Sequence, residues 1–252
     1  MGYMHRRLLS AGKETHARII NRSILMASKR GLQGVTFGRL ARSLNMSKSG
    51  VFVYFGSKEE LQVEALEAVW KRFNRHIGLE CMDSESGVPR LRAMTKGWLS
   101  FLSRRRTGGF LLSVGMEFDD LEGMVHDVIA GFARNWASRL EQEIEAGIRW
   151  NQIKNRVTPR ALAFELQGIA HHGVVADRLL KQADAWVCAK RRINRAIHRA
   201  CTSEGKVAIS EYLLLSRGIP VPPRRPASQP PPPQPPSSQP SPHGGSDGGS
   251  TL

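Results

Sequence analysis

An all-α fold, with a small three-to-four-helix head followed by a larger helical body, is what the sequence predicts, and three observations predict it. Apolar residues recur at three- and four-residue spacing from Thr15 onward, no segment alternates convincingly as a strand would, and Ser, Thr, Asn, Gly and Pro punctuate the periodic stretches where helix starts and stops belong. A chain of 252 residues is long enough for both parts, whether they form two domains or one continuous helical unit.

The first helix is read over Thr15 to Lys29, where Ala17, Ile19, Ile20, Ile24, Leu25 and Ala27 form an apolar stripe and Gly31 supplies the stop. After a turn from Gly31 to Gly34, Thr36 offers a side-chain cap for a short helix carrying Leu40, Ala41 and Leu44, and Asn45 fits a left-handed termination. Ser47 then caps a third helix over Lys48 to Phe55, which Gly56 and Ser57 break. Ser57 followed three residues later by Glu60 is a capping box, and the helix it opens keeps Leu61, Ala65, Leu66, Val69, Trp70 and Phe73 on one stripe. Further helical patterns lie near 88–104, 121–149, 158–180 and 184–203, the third of them opening on Thr158 as cap with Pro159 in the first helical position. Beyond about Ile219 the chain turns to Pro, Ser and Gly with almost no residue able to build a core. That composition predicts a disordered segment with local polyproline character, either a passive tail or a ligand for a partner domain.

The organisation that follows is a flexible basic arm over 1–13, a head over 14–75 with a two-helix motif at about 36–55, a helical body over 76–205, a connecting segment over 206–219 and a Pro-rich tail over 220–252. The formal net charge of +15 is spread unevenly across them. Residues 1–75 carry 14 basic against 5 acidic side chains, residues 76–180 carry 13 against 13, and residues 181–252 carry 10 against 4. A basic head beside a neutral middle suits a protein whose head meets phosphates, while solubility alone is the plainer account of a basic balance. Nowhere does an apolar run approach the roughly 20 residues of a membrane-spanning helix, and the N-terminus lacks the apolar core and cleavage site of a secretory signal, so cytoplasmic residence without membrane contact is expected. Cys81, Cys188 and Cys201 form no CxxC pair and no cluster at zinc-ligand spacing, so neither metal nor cofactor is expected. Adjacent His171 and His172 point to different helix faces and cannot form a metal-binding i, i+4 pair; one of them is read as buried and hydrogen-bonded. No phosphate-binding Gly loop, GxSxG elbow or HExxH occurs, which leaves an enzymatic reading without support and no catalytic residue to name.

Two short helices joined by a tight turn, the second with a basic N-terminal turn, make the helix-turn-helix arrangement, whose second helix enters the DNA major groove. The same pairing occurs in proteins that never touch DNA. The run TFGRLARSLNMSKSGVFVYFGSKEEL, from Thr36 to Leu61, closely resembles the head of the TetR family of transcriptional regulators, and the likeness extends from about Thr15 to Phe73. It includes the signature Tyr54-Phe55-Gly56-Ser57-Lys58-Glu59. The resemblance implies a recognition helix over Ser47 to Phe55, a phosphate contact from Lys58, and a fourth helix that swings with Lys58 at its head. By chemistry, Lys48 suits base edges or phosphate, and Thr36, Ser49 and Tyr54 carry donors suited to phosphate oxygens. Arg39 and Arg42 either add backbone contacts or form a solvated face. Together with Gly50, these make Thr36, Arg39, Lys48, Ser49, Gly50, Tyr54 and Lys58 the candidate DNA-binding set. Three positions depart from the family: Gly38 and Gly50 stand where many members have DNA-contacting side chains, and Phe52 stands where Tyr is frequent. Close approach of Gly50 to DNA is one compensation for the helix propensity it loses.

What the resemblance implies for the body is a small-molecule effector and a homodimer built by the last two helices, hence double-stranded operator DNA of near-palindromic sequence as partner and a ligand-responsive repressor as mode of action. Trp98, Phe101, Phe110, Met116, Phe118, Phe132 and Trp136 are the candidate effector-pocket residues, or ordinary core. Glu117, Asp119, Asp120 and Glu122 form an acidic cluster that suits either a cationic effector or an exposed helix start. Leu162, Leu166, Ile169, Val174, Trp186 and Ile193 are candidates for the dimer interface or for intrachain core. Twofold symmetry would set the recognition helices roughly 34–36 Å apart. Two other readings stand beside this one: a nonspecific basic architectural DNA-binding protein, and a small-molecule-binding protein or enzyme with a vestigial head.

Overall fold

The computed structural model describes residues 2–104 and 108–215; the segment expected as a Pro-rich tail lies outside the described residues. Ten helices occupy them: α1 (Gly2–Arg30), α2 (Phe37–Leu44), α3 (Lys48–Phe52), α4 (Lys58–Cys81), α5 (Val88–Leu102), α6 (Phe110–Glu117), α7 (Met124–Arg149), α8 (Pro159–Arg178), α9 (Ala185–Ala200) and α10 (Ser203–Leu215). Among the described residues there is no strand, only an isolated antiparallel bridge between Ile153 and Cys201.

In the head, α1 packs on α2 and α4, and α2 on α3. Ile19 and Ile24 of α1, Leu40 of α2, Val51 of α3 and Leu61 and Leu66 of α4 are fully or almost fully buried in a shared core. Each such side chain contributes about 1.5–3 kcal/mol by leaving water, enough to hold helices too short to persist alone. The 24 residues of α4, about 36 Å long at 1.5 Å per residue, run from this core into the body, where Phe73 and Ile77 are buried. There Phe73 meets the rings of Phe101 of α5 and Trp136 of α7 edge-on, with centroids 5.2 and 4.8 Å away. Helices α8 and α9 lie against each other, and Gly173 permits their approach: a Cβ there would stand 3.2 Å from Cζ3 of Trp186.

Several boundaries differ from the expected ones. The stretch expected as a flexible arm over 1–13 is helical from Gly2, continuous with α1. It contains no Pro and includes Met4, Arg6, Arg7, Leu8, Leu9 and Lys13, good helix formers even without a clean apolar period. The expected connecting segment at 206–219 is helical as far as Leu215, because Ala208 and Ile209 bury themselves, α10 packs on α5, and Thr202 Oγ1 accepts the Gly205 amide at 3.2 Å. Helix α6 was not expected, since FLLSVGME is apolar on nearly every side and shows no period. The third helix ends at Phe52 rather than Phe55. Thr158 does precede Pro159 at the start of α8, but its side chain makes no capping hydrogen bond.

Candidate nucleic-acid interface and ligand cavity

The local chemistry of the two-helix motif is borne by its caps. Thr36 Oγ1 accepts the Arg39 amide at 3.3 Å to open α2, and Asn45 closes it at φ 53° and ψ 45°, its amide donating to the Ala41 carbonyl. Ser47 Oγ accepts the Gly50 amide at 2.9 Å to open α3. Ser57 Oγ accepts the Glu60 amide at 3.0 Å to open α4, while the Glu60 carboxylate reaches back to the Gly56 amide at 2.8 Å, one residue before the usual partner in a capping box. Buried Leu40, Ala41, Val51 and Phe55, with half-buried Leu44, fix the angle between the two helices. Ring stacking of Phe55 on His16 of α1, centroids 5.0 Å apart, ties the motif to α1, and His16 Nε2 lies 2.8 Å from a Glu64 carboxylate oxygen of α4.

Within that frame Lys48 and Ser49 are exposed at the start of α3, and Gly50 is half-buried beside them. A Cβ at Gly50 would lie 2.9 Å from Ser47 Oγ, so the capping hydroxyl gives this glycine an intrachain reason independent of DNA. Gly38 has open space around it. Phe52 and Val53 are exposed at the end of α3, Val53 by 82%, apolar groups of the kind that contact thymine methyls. Val53 stands outside the candidate set, since an apolar residue in a short helix is ordinarily read as core. Thr36 is half-buried with its hydroxyl engaged in the cap, and Tyr54 is half-buried against His16. Arg39 donates to the Gly34 carbonyl at 2.8 Å and joins Arg22, Lys29, Arg30 and Arg42 around a groove of about 690 Å³ between α1 and α2. Lys58 Nζ donates to the Gln33 carbonyl at 2.9 Å, and the buried Gln62 amide donates to the Leu32 carbonyl at 3.0 Å.

A second site lies in the body, a cavity of about 370 Å³. Of the seven side chains expected to line it, Trp98, Phe101, Met116, Phe132 and Trp136 do so, whereas Phe110 and Phe118 are buried in the core away from it. Phe110 is the first residue of α6 and Phe118 caps its end, and both ends of the helix pack into the hydrophobic core. Trp70 and Phe73 of α4 also face the cavity; on sequence they belonged to the core stripe of the fourth helix. The Trp70 ring stacks on Phe132 with centroids 4.7 Å apart and planes 9° from parallel. Among the described lining residues there is no Lys or Arg; the polar ones are Asp119, His126, Gln167 and His171. Burial lowers the pKa of His171 below its ordinary value, and its ring stands edge-on to Trp98 at 5.8 Å, so the expected buried histidine is instead a neutral, half-buried cavity wall. The acidic cluster separates by role. Glu117 accepts the Leu32 and Gln33 amides at 2.7 Å each, Asp119 edges the cavity, and Asp120 and Glu122 are exposed.

The expected interface residues Leu162, Leu166, Val174 and Ile193 are buried within the chain, and Ile169 and Trp186 are half-buried against its core. The four buried ones offer no exposed surface to a partner. Helix α8 carries two apolar stripes, and periodicity does not tell which one faces outward. The outward stripe holds Phe164, Val175 and Leu179, with Phe164 77% and Leu179 75% exposed, and Val187 of α9 is also exposed. All three cysteines are free, and burial pushes the Cys81 and Cys201 thiols up to about 11. Among the described residues no His, Cys, Asp and Glu group forms a metal site, and no helix is long and apolar enough to cross a membrane.

Two family models match this architecture. Residues 19–65 match the model described as bacterial regulatory proteins, tetR family, and residues 87–193 match that of the tetracyclin repressor-like C-terminal domain; together they span more than half of the chain. No curated protein was found to match in sequence. Among solved structures, a TetR transcriptional regulator from Chloroflexus aurantiacus is similar at a TM-score of 0.70 and 20% identity, over 76% of this chain and 98% of that one. A TetR-family transcriptional regulator from Cytophaga hutchinsonii is similar at 0.67 and 16%, over 77% and 98%. AibR, solved in complex with isovaleryl coenzyme A and operator DNA, is similar at 0.58 and 18%, over 72% and 95%.

Proposed function

Because the chain belongs to the TetR family of bacterial transcriptional regulators, we propose that it is a sequence-specific DNA-binding repressor, acting as a homodimer on a near-palindromic operator and released by a small molecule. The head, residues 14–75, would bind DNA in the cytoplasm, and the body from 76 onward would hold the effector and the twin subunit. The observation that carries the reading is the capped pair α2 and α3, which presents Lys48, Ser49, Phe52 and Val53 to solvent on the same chain as an aromatic cavity. Lys48 would reach base edges or phosphate. Thr36, Arg39, Ser49 and Tyr54 would contact phosphates, with the Gly50 backbone beside them and Lys58 joining once it leaves Gln33. The joint presence of an acyl-coenzyme A and operator DNA in the AibR structure is consistent with both functions residing on this fold. The role is one of binding, with no reaction assigned.

For the dimer, the outward stripe of α8 supplies what two stacked copies need: an exposed apolar row of Phe164, Val175 and Leu179 beside Val187 of α9. For the effector, a cavity of about 370 Å³ walled by aromatic rings and lacking a described Lys or Arg favours a largely apolar molecule without strong negative charge.

Selection of bound sequences from a random DNA pool tests the reading, repeated with Lys48→Ala and followed by salt-titrated affinity on the selected site. One palindromic sequence is expected, with weakened or relaxed selection in the variant. Equal affinity for all duplexes would overturn it in favour of nonspecific binding.

A further inference from the structure

The turn between α1 and α2 is held by side chains from two other helices. Both backbone amides of Leu32 and Gln33 donate to the Glu117 carboxylate at the end of α6, each at 2.7 Å. Both carbonyls accept from α4, that of Leu32 from Gln62 at 3.0 Å and that of Gln33 from Lys58 at 2.9 Å. All four main-chain polar groups of these two residues are thereby bonded to side chains at least 25 residues away, while the Leu32 side chain is fully buried beneath them. Gly31, at φ +74°, leaves room for the carboxylate: a Cβ there would stand 2.8 Å from Glu117 Oε1. Immediately before Glu117 on α6, Gly115 and Met116 line the cavity.

We infer that Glu117 is a positioning residue that couples the cavity wall to the DNA-binding motif directly through the Leu32–Gln33 turn, alongside any motion of α4. This rests on the effector reading above. An occupant that displaces Gly115 and Met116 displaces Glu117 with them, because adjacent residues of one short helix move as a unit. The two bonds are short and charge-assisted, and a shift of about 1 Å takes each beyond hydrogen-bonding distance. Four residues past Leu32 stands Thr36, the cap of α2, so release of the turn loosens the placement of α2 and α3. The same release frees the carbonyl that holds Lys58, the cation expected to seek phosphate.

The test is a double-mutant cycle on the full chain, read as affinity for the selected operator by fluorescence anisotropy. Ala130→Trp fills the cavity from α7 and stands in for an occupant; Gly115→Leu, at a position where a Cβ has open space, does so from α6 and serves if the first variant fails to fold. Glu117→Gln keeps the shape of the side chain and removes its second acceptor. Cavity filling is expected to change operator affinity about tenfold in the parent chain and less than about twofold in the Glu117→Gln background. Hydrogen exchange at whichever of the Leu32 and Gln33 amides faces the new side-chain nitrogen should accelerate at least about tenfold in Glu117→Gln, with the Lys154 amide, bonded to the Ala200 carbonyl, unchanged. An equal effect of cavity filling in both backgrounds would overturn the role of Glu117 and leave the effector reading standing. No effect in either background, with both variants folded, would overturn the coupling and the effector reading together.

Discussion

Lys58 shows how a single contact changes what a residue is taken to do. The family likeness assigns it to phosphate, yet its ammonium is committed to the Gln33 carbonyl, 25 residues away in sequence, and that partnership has no local signature. Its neighbour Ser57 is the opposite case, legible because a capping hydroxyl needs only the next three residues. Ser57→Ala should cost about 1 kcal/mol, read as a shift of the urea midpoint at constant slope. At Lys48 the measurement is salt dependence. If it contacts phosphate, Lys48→Ala lowers the slope of log K against log salt by about 0.9, and if it reads a base, selection relaxes at one position of each half-site. The cysteines give a chemical check on burial. Iodoacetamide should modify exposed Cys188 in the folded protein and leave Cys81 and Cys201, whose thiols are pushed up to about 11, until the chain is unfolded, as resolved by peptide mass spectrometry.

At the scale of the element, helices with a recognisable side-chain cap or a long apolar period were readable, which is why α2, α3 and α4 on the first ground and α7 on the second fall close to their expected places. Helix α6 was not, being apolar all round, and α10 was not, because its reason to form is the surface of α5. Turns are governed by backbone conformation, and Gly31→Ala tests the one beside Glu117. Placing a side chain at φ +74° against the carboxylate should destabilise the chain by about 1–3 kcal/mol, measured by denaturation. Helix α8 offers a titration. Burial depresses the pKa of His171 from its ordinary 6.5, so the unfolded chain binds more protons between 6.5 and the folded value. Stability from this group is therefore complete above 6.5 and declines as pH falls through that window. Urea midpoints across this range should show the decline, and His171→Gln should flatten it.

For the whole molecule, four helices over 2–81 ahead of a further set of helices were legible, but which face of α8 lies outward was not, because α8 has apolar residues on both its inner and outer faces. Only packing decides between them. Phe164→Glu together with Leu179→Glu should convert a dimer into a monomer by light scattering and weaken operator binding, with helix content retained, since both positions are largely exposed in the single chain. The walls of the cavity carry a further consequence. Three of the five tryptophans, Trp70, Trp98 and Trp136, face it, while Trp150 stands exposed on the far end of α7 and Trp186 lies against Gly173. The stacked Trp70 and Phe132 rings make the cavity an unlabelled optical reporter. A compound that slides between or beside them should alter the intensity and wavelength of intrinsic emission, so a chemical library can be screened in a cuvette before any operator is known.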